Sequence, residues 1–178
     1  MILQEMKELE DAKQELAKLD SEFGREFLLD KERIFNELRE EFKTFAESAG
    51  FTFSVQQNGS VLLAQYGSIE LKLTFPNIDI PYMGAVTVLQ FNSSSQARAS
   101  WDIAIINAKS SNTGPSITVT TGRTSELESV RKSIERTRSK LPYTPMEYCA
   151  CYGPHNSNRT AKKTVPSLTT ALTEILES

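Results

Sequence analysis

The sequence predicts an α+β protein in which a long N-terminal helix precedes an antiparallel sheet and two C-terminal helices. Residues 1–49 contain no proline and a single glycine, and their apolar residues recur at helical spacing. Alternating strand patterns bounded by turn residues follow, including an Asn-Gly pair at residues 58 and 59. This order of elements is typical of an α+β fold, here with five or six strands in a meander.

Composition excludes several classes of protein. The chain has 178 residues, 39% hydrophobic and 24% charged, which is ordinary for a globular domain with an appendage. Apolar runs are too short to cross a bilayer, so no membrane partner is expected. The first residues lack a basic region followed by an apolar core, and the two cysteines form no disulfide framework. We therefore expect a cytoplasmic protein.

The first half of the N-terminal helix carries a narrow apolar stripe with a seven-residue repeat. The flanking positions are almost all charged, which is the pattern of a coiled coil. We therefore expect this segment to project and to join copies of the chain into a homodimer or a higher oligomer. The predicted self-association residues, called the heptad seam below, are Ile2, Leu9, Ala12, Leu16, Leu19 and Phe23.

The stripe widens after Gly24 into a broad aromatic face, from Phe27 to Ala46, which suits packing on a sheet. The sequence thus predicts a projecting helix over residues 1–24 and a single α+β domain over residues 25–178. A helical hairpin with a turn at residues 20–25 is the alternative, but that segment lacks proline and has one strong turn former. We favour a continuous helix that ends at Ala49-Gly50.

Strands are predicted wherever apolar and polar residues alternate between turn signals. Prolines in residues 76–81 interrupt the run, because proline cannot donate to a ladder. Residues 145–152 are a further candidate strand. The predicted strands are 51–55, 61–66, 69–75, 85–91, 101–108 and 116–121.

Two helices are predicted in the C-terminal half. Ser125 and Glu128 form a capping box for the first, which ends near Leu141. The second begins near Pro166 and carries an apolar face that must dock on the rest of the domain.

Charge is unevenly distributed along the chain. Residues 1–50 contain 8 basic and 14 acidic residues, whereas residues 91–178 contain 11 basic and 7 acidic residues. Internal complementarity or ordinary solvated faces is the favoured interpretation, and a basic surface for nucleic acid or another phosphate ligand is the alternative. The candidate anion-binding residues are Arg123, Arg131, Lys132, Arg136, Arg138, Arg159, Lys162 and Lys163.

Cys149, Cys151 and His155 are the only cluster of soft metal ligands in the sequence. Zinc sites commonly have four ligands, so a metal site is disfavoured against cysteines that act as small core residues. A Cys/His nucleophilic pair is a weak third hypothesis, because closeness in sequence does not establish contact. No phosphate-binding glycine motif is present, and no cofactor is expected.

These observations favour a non-enzymatic protein-interaction module, such as an adaptor, an assembly subunit or an inhibitor of a larger complex. The nucleic-acid or phosphate binder and the small Cys/His enzyme are the alternatives, in that order.

Overall fold

The computed structural model describes residues 3–76, 85–95, 100–109, 125–155 and 163–178. These residues form three helices and seven strands, and a 3₁₀ turn at Gln57–Gly59 lies between the first two strands. The elements are α1 (Leu3–Ser48), β1 (Thr52–Gln56), β2 (Val61–Tyr66), β3 (Ile69–Thr74), β4 (Thr87–Ser93), β5 (Trp101–Asn107), α2 (Glu126–Arg138), β6 (Tyr148–Pro154), β7 (Lys163–Val165) and α3 (Leu168–Glu177).

The strands form one antiparallel sheet in which each strand pairs with its neighbours in the chain, in the order β1 to β7. The predicted α+β class is therefore confirmed. The sheet has seven strands where five or six were predicted, because the candidate strand at 145–152 corresponds to β6 (Tyr148–Pro154) and Lys163–Val165 forms the short β7. The strand predicted over residues 116–121 lies outside the described residues.

Helix α1 is continuous over 46 residues, which corresponds to roughly 69 Å. Gly24 lies within it, and the predicted continuous helix is confirmed against the hairpin. The helix ends at Ser48, and Gly50, which follows two residues later, has a left-handed φ of 81°. The N–H groups of Gly50 and Phe51 donate to the carbonyls of Glu47 and Ala46, at 3.0 Å each, which is the Schellman pattern.

The chain divides into two compact units, which share α1. One contains the sheet, α3 and α1 from Ile34 onwards, and the other contains α1 up to Arg33 with α2. The boundary within α1 therefore lies about nine residues after Gly24, where the aromatic face was expected to begin.

The core of the sheet unit is built from one face of the sheet and two amphipathic helices. The stripe of α1 recurs every three or four residues from Ile34 to Ala46, and all its members are buried. Phe42 packs against Phe53 of β1, and Phe35 packs against Phe75 just after β3. Four residues complete the core from α3: Leu168, Ala171, Leu172 and Ile175.

The β1–β2 hairpin confirms the turn signal at Asn58-Gly59, although its loop has four residues, 57–60. Gln57, Asn58 and Gly59 all have positive φ, between 49° and 88°, a region that Asn and Gly tolerate best. Arg39 of α1 fixes the tip, since its Nε donates to the Gly59 carbonyl at 3.3 Å.

A carboxylate of α1 holds the start of α3. Ser167 caps α3 by accepting a hydrogen bond from the N–H of Thr170 at 3.1 Å. Glu41 Oε2 accepts from the N–H of Leu168 at 3.2 Å, so a second unpaired donor of the first turn is satisfied. Burial raises the pKa of the Glu41 carboxyl, and its backbone hydrogen bonds partly oppose that change.

Replacing Leu38, which is fully buried, by alanine is expected to lower the free energy of unfolding by about 2–5 kcal/mol. Leu28→Ala is the matched control, because Leu28 is on the same helix but 56% exposed, and its change should stay within about 0.5 kcal/mol. Urea denaturation followed by circular dichroism measures both. Equal losses would contradict the assigned core face.

Glu41→Gln keeps a side-chain acceptor but removes the titration. A raised pKa means that the folded chain binds the proton more tightly than the unfolded chain does. This contribution to stability is fully present below the unfolded pKa of about 4.3 and is lost as pH rises through the folded pKa. The stability of wild type relative to Glu41→Gln should therefore be greater at about pH 4 than at about pH 7. Urea titrations at both pH values measure the free energies of unfolding. A difference between wild type and Glu41→Gln that does not change with pH would contradict the raised pKa of Glu41.

Candidate protein-interaction surface

Strand β1 forms one edge of the sheet and pairs with a single strand, β2, within the described residues. Four of its five residues are exposed, and Val55 is 55% exposed. Its sequence, Thr-Phe-Ser-Val-Gln, contains neither a charge nor a proline, and its pairing with β2 runs without a bulge. Natural proteins usually protect a sheet edge with charged residues, proline or a bulge, because an unpaired edge is a template for another strand. β1 has none of these three features.

The backbone groups that face away from β2 follow from the ladder. The N–H of Phe75 donates to the carbonyl of Ser60 at 2.7 Å, so even-numbered residues of β2 bond to β3. Odd-numbered residues of β2 then bond to β1, where they oppose Thr52, Ser54 and Gln56. The N–H and C=O groups of Phe53 and Val55 therefore point away from β2, to the side of β1 where no other described strand lies.

The two faces of β1 differ in polarity. Phe53 and Val55 share the face that α1 covers, and the Phe53 ring lies 6.3 Å from that of Phe42. Thr52, Ser54 and Gln56 occupy the other face and are exposed. An arriving strand would thus meet free backbone groups, one apolar face and one polar face.

The opposite edge of the sheet, β7, is protected. It has three residues, includes Lys163 and is followed directly by Pro166. Lys163 Nζ also pairs with Glu174 of α3 at 2.7 Å. Short length, lysine and proline each discourage pairing with another strand. The β7 edge is therefore protected against the addition of a strand, whereas the β1 edge lacks these features.

Helix α2 lies alongside the heptad seam and runs parallel to α1. Its ion pairs with α1 are Glu126–Lys13, Arg131–Glu8 and Arg138–Glu15, and Thr137 donates to Asp20 at 3.0 Å. Just after α2, Tyr143 packs edge-on against Phe23, and Lys140 lies 5.3 Å over the same ring. The N-terminal half of α2 pairs with residues 8 and 13 of α1, and its C-terminal end pairs with residues 15 and 20, which indicates a parallel arrangement.

The heptad seam therefore has a partner within its own chain. Ala12 is buried, and Leu9, Leu16, Leu19 and Phe23 are half-buried, whereas Ile2 lies outside the described residues. Self-association through these residues stays a prediction, but the seam does not require a second chain to cover it.

Five of the predicted anion-binding residues lie within the described part of the chain, and four of these five form ion pairs. Arg131 and Arg138 pair with α1, Lys132 pairs with Glu128 at 3.2 Å, and Lys163 pairs with Glu174. Arg136 is an exposed residue of the last turn of α2, where it complements the helix dipole. Arg123, Arg159 and Lys162 lie outside the described residues. The ion pairs are the internal complementarity that the charge distribution suggests.

Sequence reasoning missed a buried carboxylate in the helical unit. Asp30 is 6% exposed and accepts hydrogen bonds from Arg33 Nε at 2.8 Å and from the Tyr143 hydroxyl at 2.9 Å. Burial, together with the hydrogen bond to Asp30, raises the pKa of Tyr143. These contacts anchor the segment after α2 to α1. Nothing in the sequence links Asp30 with Tyr143, 113 residues away.

Cys149 and Cys151 lie on one face of β6 as free, half-buried thiols. Burial raises the pKa of the Cys149 thiol, which disfavours the reactive thiolate. His155 Nδ1 hydrogen-bonds to Asp102 at 2.8 Å. Across the described ranges, no three His, Cys, Asp or Glu side chains come together as metal ligands.

A small open cavity lies in the helical unit at the start of α2. Its volume is about 160 Å³, below the range of roughly 300–1,000 Å³ typical of ligand pockets. It is lined by Glu5, Leu9, Ser125, Glu126 and Leu127.

Comparison with family models, with curated proteins and with solved structures found no match. Among the described helices, none is long and apolar enough to cross a membrane.

Ile134→Ala is expected to loosen the pairing of α2 with α1. Ile134 is buried and lies on the same face of α2 as Arg131 and Arg138, which bond to α1. Such truncations cost about 2–5 kcal/mol, so tryptic cleavage within residues 7–25 should accelerate about tenfold or more. Glu135→Ala, at an exposed neighbouring position, is the control and should cleave like wild type. Equal cleavage of the two variants would contradict the helix pairing.

Proposed function

We propose that this chain is a non-enzymatic protein-interaction module, acting as an adaptor, assembly subunit or inhibitor, and that its docking surface is the β1 edge. The observation that carries the proposal is the contrast between the two edges of the sheet. Among the described strands only β2 pairs with β1, so the outward N–H and C=O groups of β1 have no strand partner there, and β1 has an exposed valine but no charge, proline or bulge. β7 has the protective features that β1 lacks.

Addition of a strand to an exposed edge is a common mode of protein recognition. Main-chain hydrogen bonds supply affinity, and alternate side chains supply specificity. Here Val55 and Tyr66, more than half exposed, provide apolar contact area at or beside the edge. Phe51 packs against Tyr66 with 5.6 Å between ring centroids, which supports the exposed ring from behind.

The proposal places docking on the sheet instead of the N-terminal helix, because α2 already lies along the heptad seam. Self-association remains part of it, through a different surface. The anion-binding alternative has less support, since the described basic side chains of α2 are mostly paired with carboxylates.

The test is affinity capture from the native host with matched variants at residue 55. Val55→Pro removes the outward N–H of β1 while leaving the bonds to β2 in place, and Val55→Thr keeps both the N–H and a β-branched side chain. A specific partner should be retained by wild type and by Val55→Thr. Val55→Pro should weaken its binding about tenfold or more, because the partner strand keeps an unpaired carbonyl.

Circular dichroism establishes whether Val55→Pro and wild type are both folded. If folded Val55→Pro captures the same proteins as wild type, the assignment of β1 as the docking edge is overturned. The absence of any specific partner for wild type, including another copy of the chain, would overturn the proposed function.

A further inference from the structure

We propose that the strand that docks on β1 is β1 of a second copy, paired antiparallel about a two-fold axis at Ser54. This joins the two seven-stranded sheets into one. The inference rests on the proposed function, since it names the partner of the same edge. Closed two-fold dimers are the commonest oligomers, and a strand that pairs with itself antiparallel satisfies their symmetry.

The backbone groups match in this register. A two-fold axis at Ser54 places Phe53 opposite Val55 of the second copy, and Val55 opposite its Phe53. These are the two residues whose N–H and C=O groups point away from β2. Both pairs are therefore hydrogen-bonded pairs, and every outward donor and acceptor of β1 is satisfied.

Neighbouring registers are less complete. An axis at Phe53 places Phe51 opposite Val55, but the N–H of Phe51 already donates to Ala46. An axis at Val55 places Gln57 opposite Phe53, and Gln57 has a φ of 49°, which is not extended. An axis between two residues places residues whose N–H and C=O groups point outward opposite residues of the second copy whose groups bond to their own β2. No hydrogen-bonded ladder forms in that register. Ser54 is therefore the favoured centre.

The side chains agree with the same register. The apolar face of each strand contributes an aromatic residue opposite a β-branched residue, a favourable cross-strand combination. The other face opposes Ser54 to itself and Thr52 to Gln56, all polar and exposed. Because β1 carries no charge, self-pairing brings no like charges together. This neutrality favours a second copy as the occupant.

The interface is small. A five-residue strand pair with two apolar contacts falls below the roughly 1,200 Å² of a stable specific interface. We therefore expect a transient dimer, whose dissociation constant lies between about 1 and 100 μM.

Cysteine cross-linking tests the register directly, in a background with Cys149→Ser and Cys151→Ser. In the proposed dimer the two Ser54 residues form a non-hydrogen-bonded pair with Cα atoms about 4.5 Å apart, within the range that a disulfide spans. Two Thr52 residues would lie about four residues apart along the strands, or roughly 13 Å, beyond that range. Ser54→Cys should therefore cross-link at least about tenfold faster than Thr52→Cys, at similar exposure.

Equal cross-linking of Ser54→Cys and Thr52→Cys, or faster cross-linking of Thr52→Cys, would overturn the register. Absence of cross-linking in both would overturn the self-pairing itself. Circular dichroism of each variant before oxidation confirms that the compared chains are folded.

Sedimentation equilibrium of the full chain provides an independent readout. The weight-average mass of wild type and of Val55→Thr should rise above 19.9 kDa with concentration. Val55→Pro should associate about tenfold more weakly or worse, and Thr164→Lys on β7 should behave like wild type. A wild type that stays at the monomer mass at concentrations of roughly 100 μM or more overturns the dimer. Capture of a different protein that depends on the Val55 N–H would then leave the proposed function standing.

Discussion

The packing of α1 from Ile34 to Ala46 on one face of the sheet is the interaction on which the sheet unit depends. A single antiparallel sheet must bury one face, and this stripe supplies Phe35, Leu38 and Phe42 for that purpose. The Schellman turn at Gly50 then leads the chain directly into β1. β1 thus lies at one edge of the sheet, where α1 packs against one of its faces. Because β1 is the first strand of the meander, it pairs with a single neighbour, β2, among the described strands.

The remainder of α1 illustrates how a long helix is stabilised within one chain. Its first thirty residues are too polar to bury against a large core, and only Ala12, Asp30 and Lys31 among them are buried. α2 runs beside this segment and forms three ion pairs with it, two of them from arginines of α2 to glutamates of α1. Exposed ion pairs contribute little individually, about 0–1 kcal/mol each, so the charges specify the pairing more than they stabilise it. The buried contacts of Ile134 and of the Asp30–Tyr143 bond anchor the pair.

Much of the fold was predictable because its signals are local. The stripe of α1 from Ile34 onwards, the apolar face of α3, the cap at Ser125 and the alternation in β3 to β5 all act through neighbouring residues, and each is confirmed. The part of the predicted α1 face before Ile34 does not join this core, and Leu28 there is 56% exposed. The partner of the heptad seam was not predictable, because a seven-residue repeat specifies a helical neighbour without specifying which chain provides it. β7 was missed, since its three residues become a strand only by pairing with β6. The lack of charge and proline in β1 is visible in the sequence. It indicates an unprotected edge only once the strand order places β1 at the end of the sheet.

Native-state hydrogen exchange measures the division of α1 most directly. The amides of residues 34–46 are expected to exchange with those of the sheet, at the highest opening free energy in the chain. The amides of residues 3–30 should exchange together with those of α2, at a common lower free energy. Protection of residues 3–30 that persists while α2 exchanges freely would contradict the account, because it would show that α2 does not hold the first half of α1.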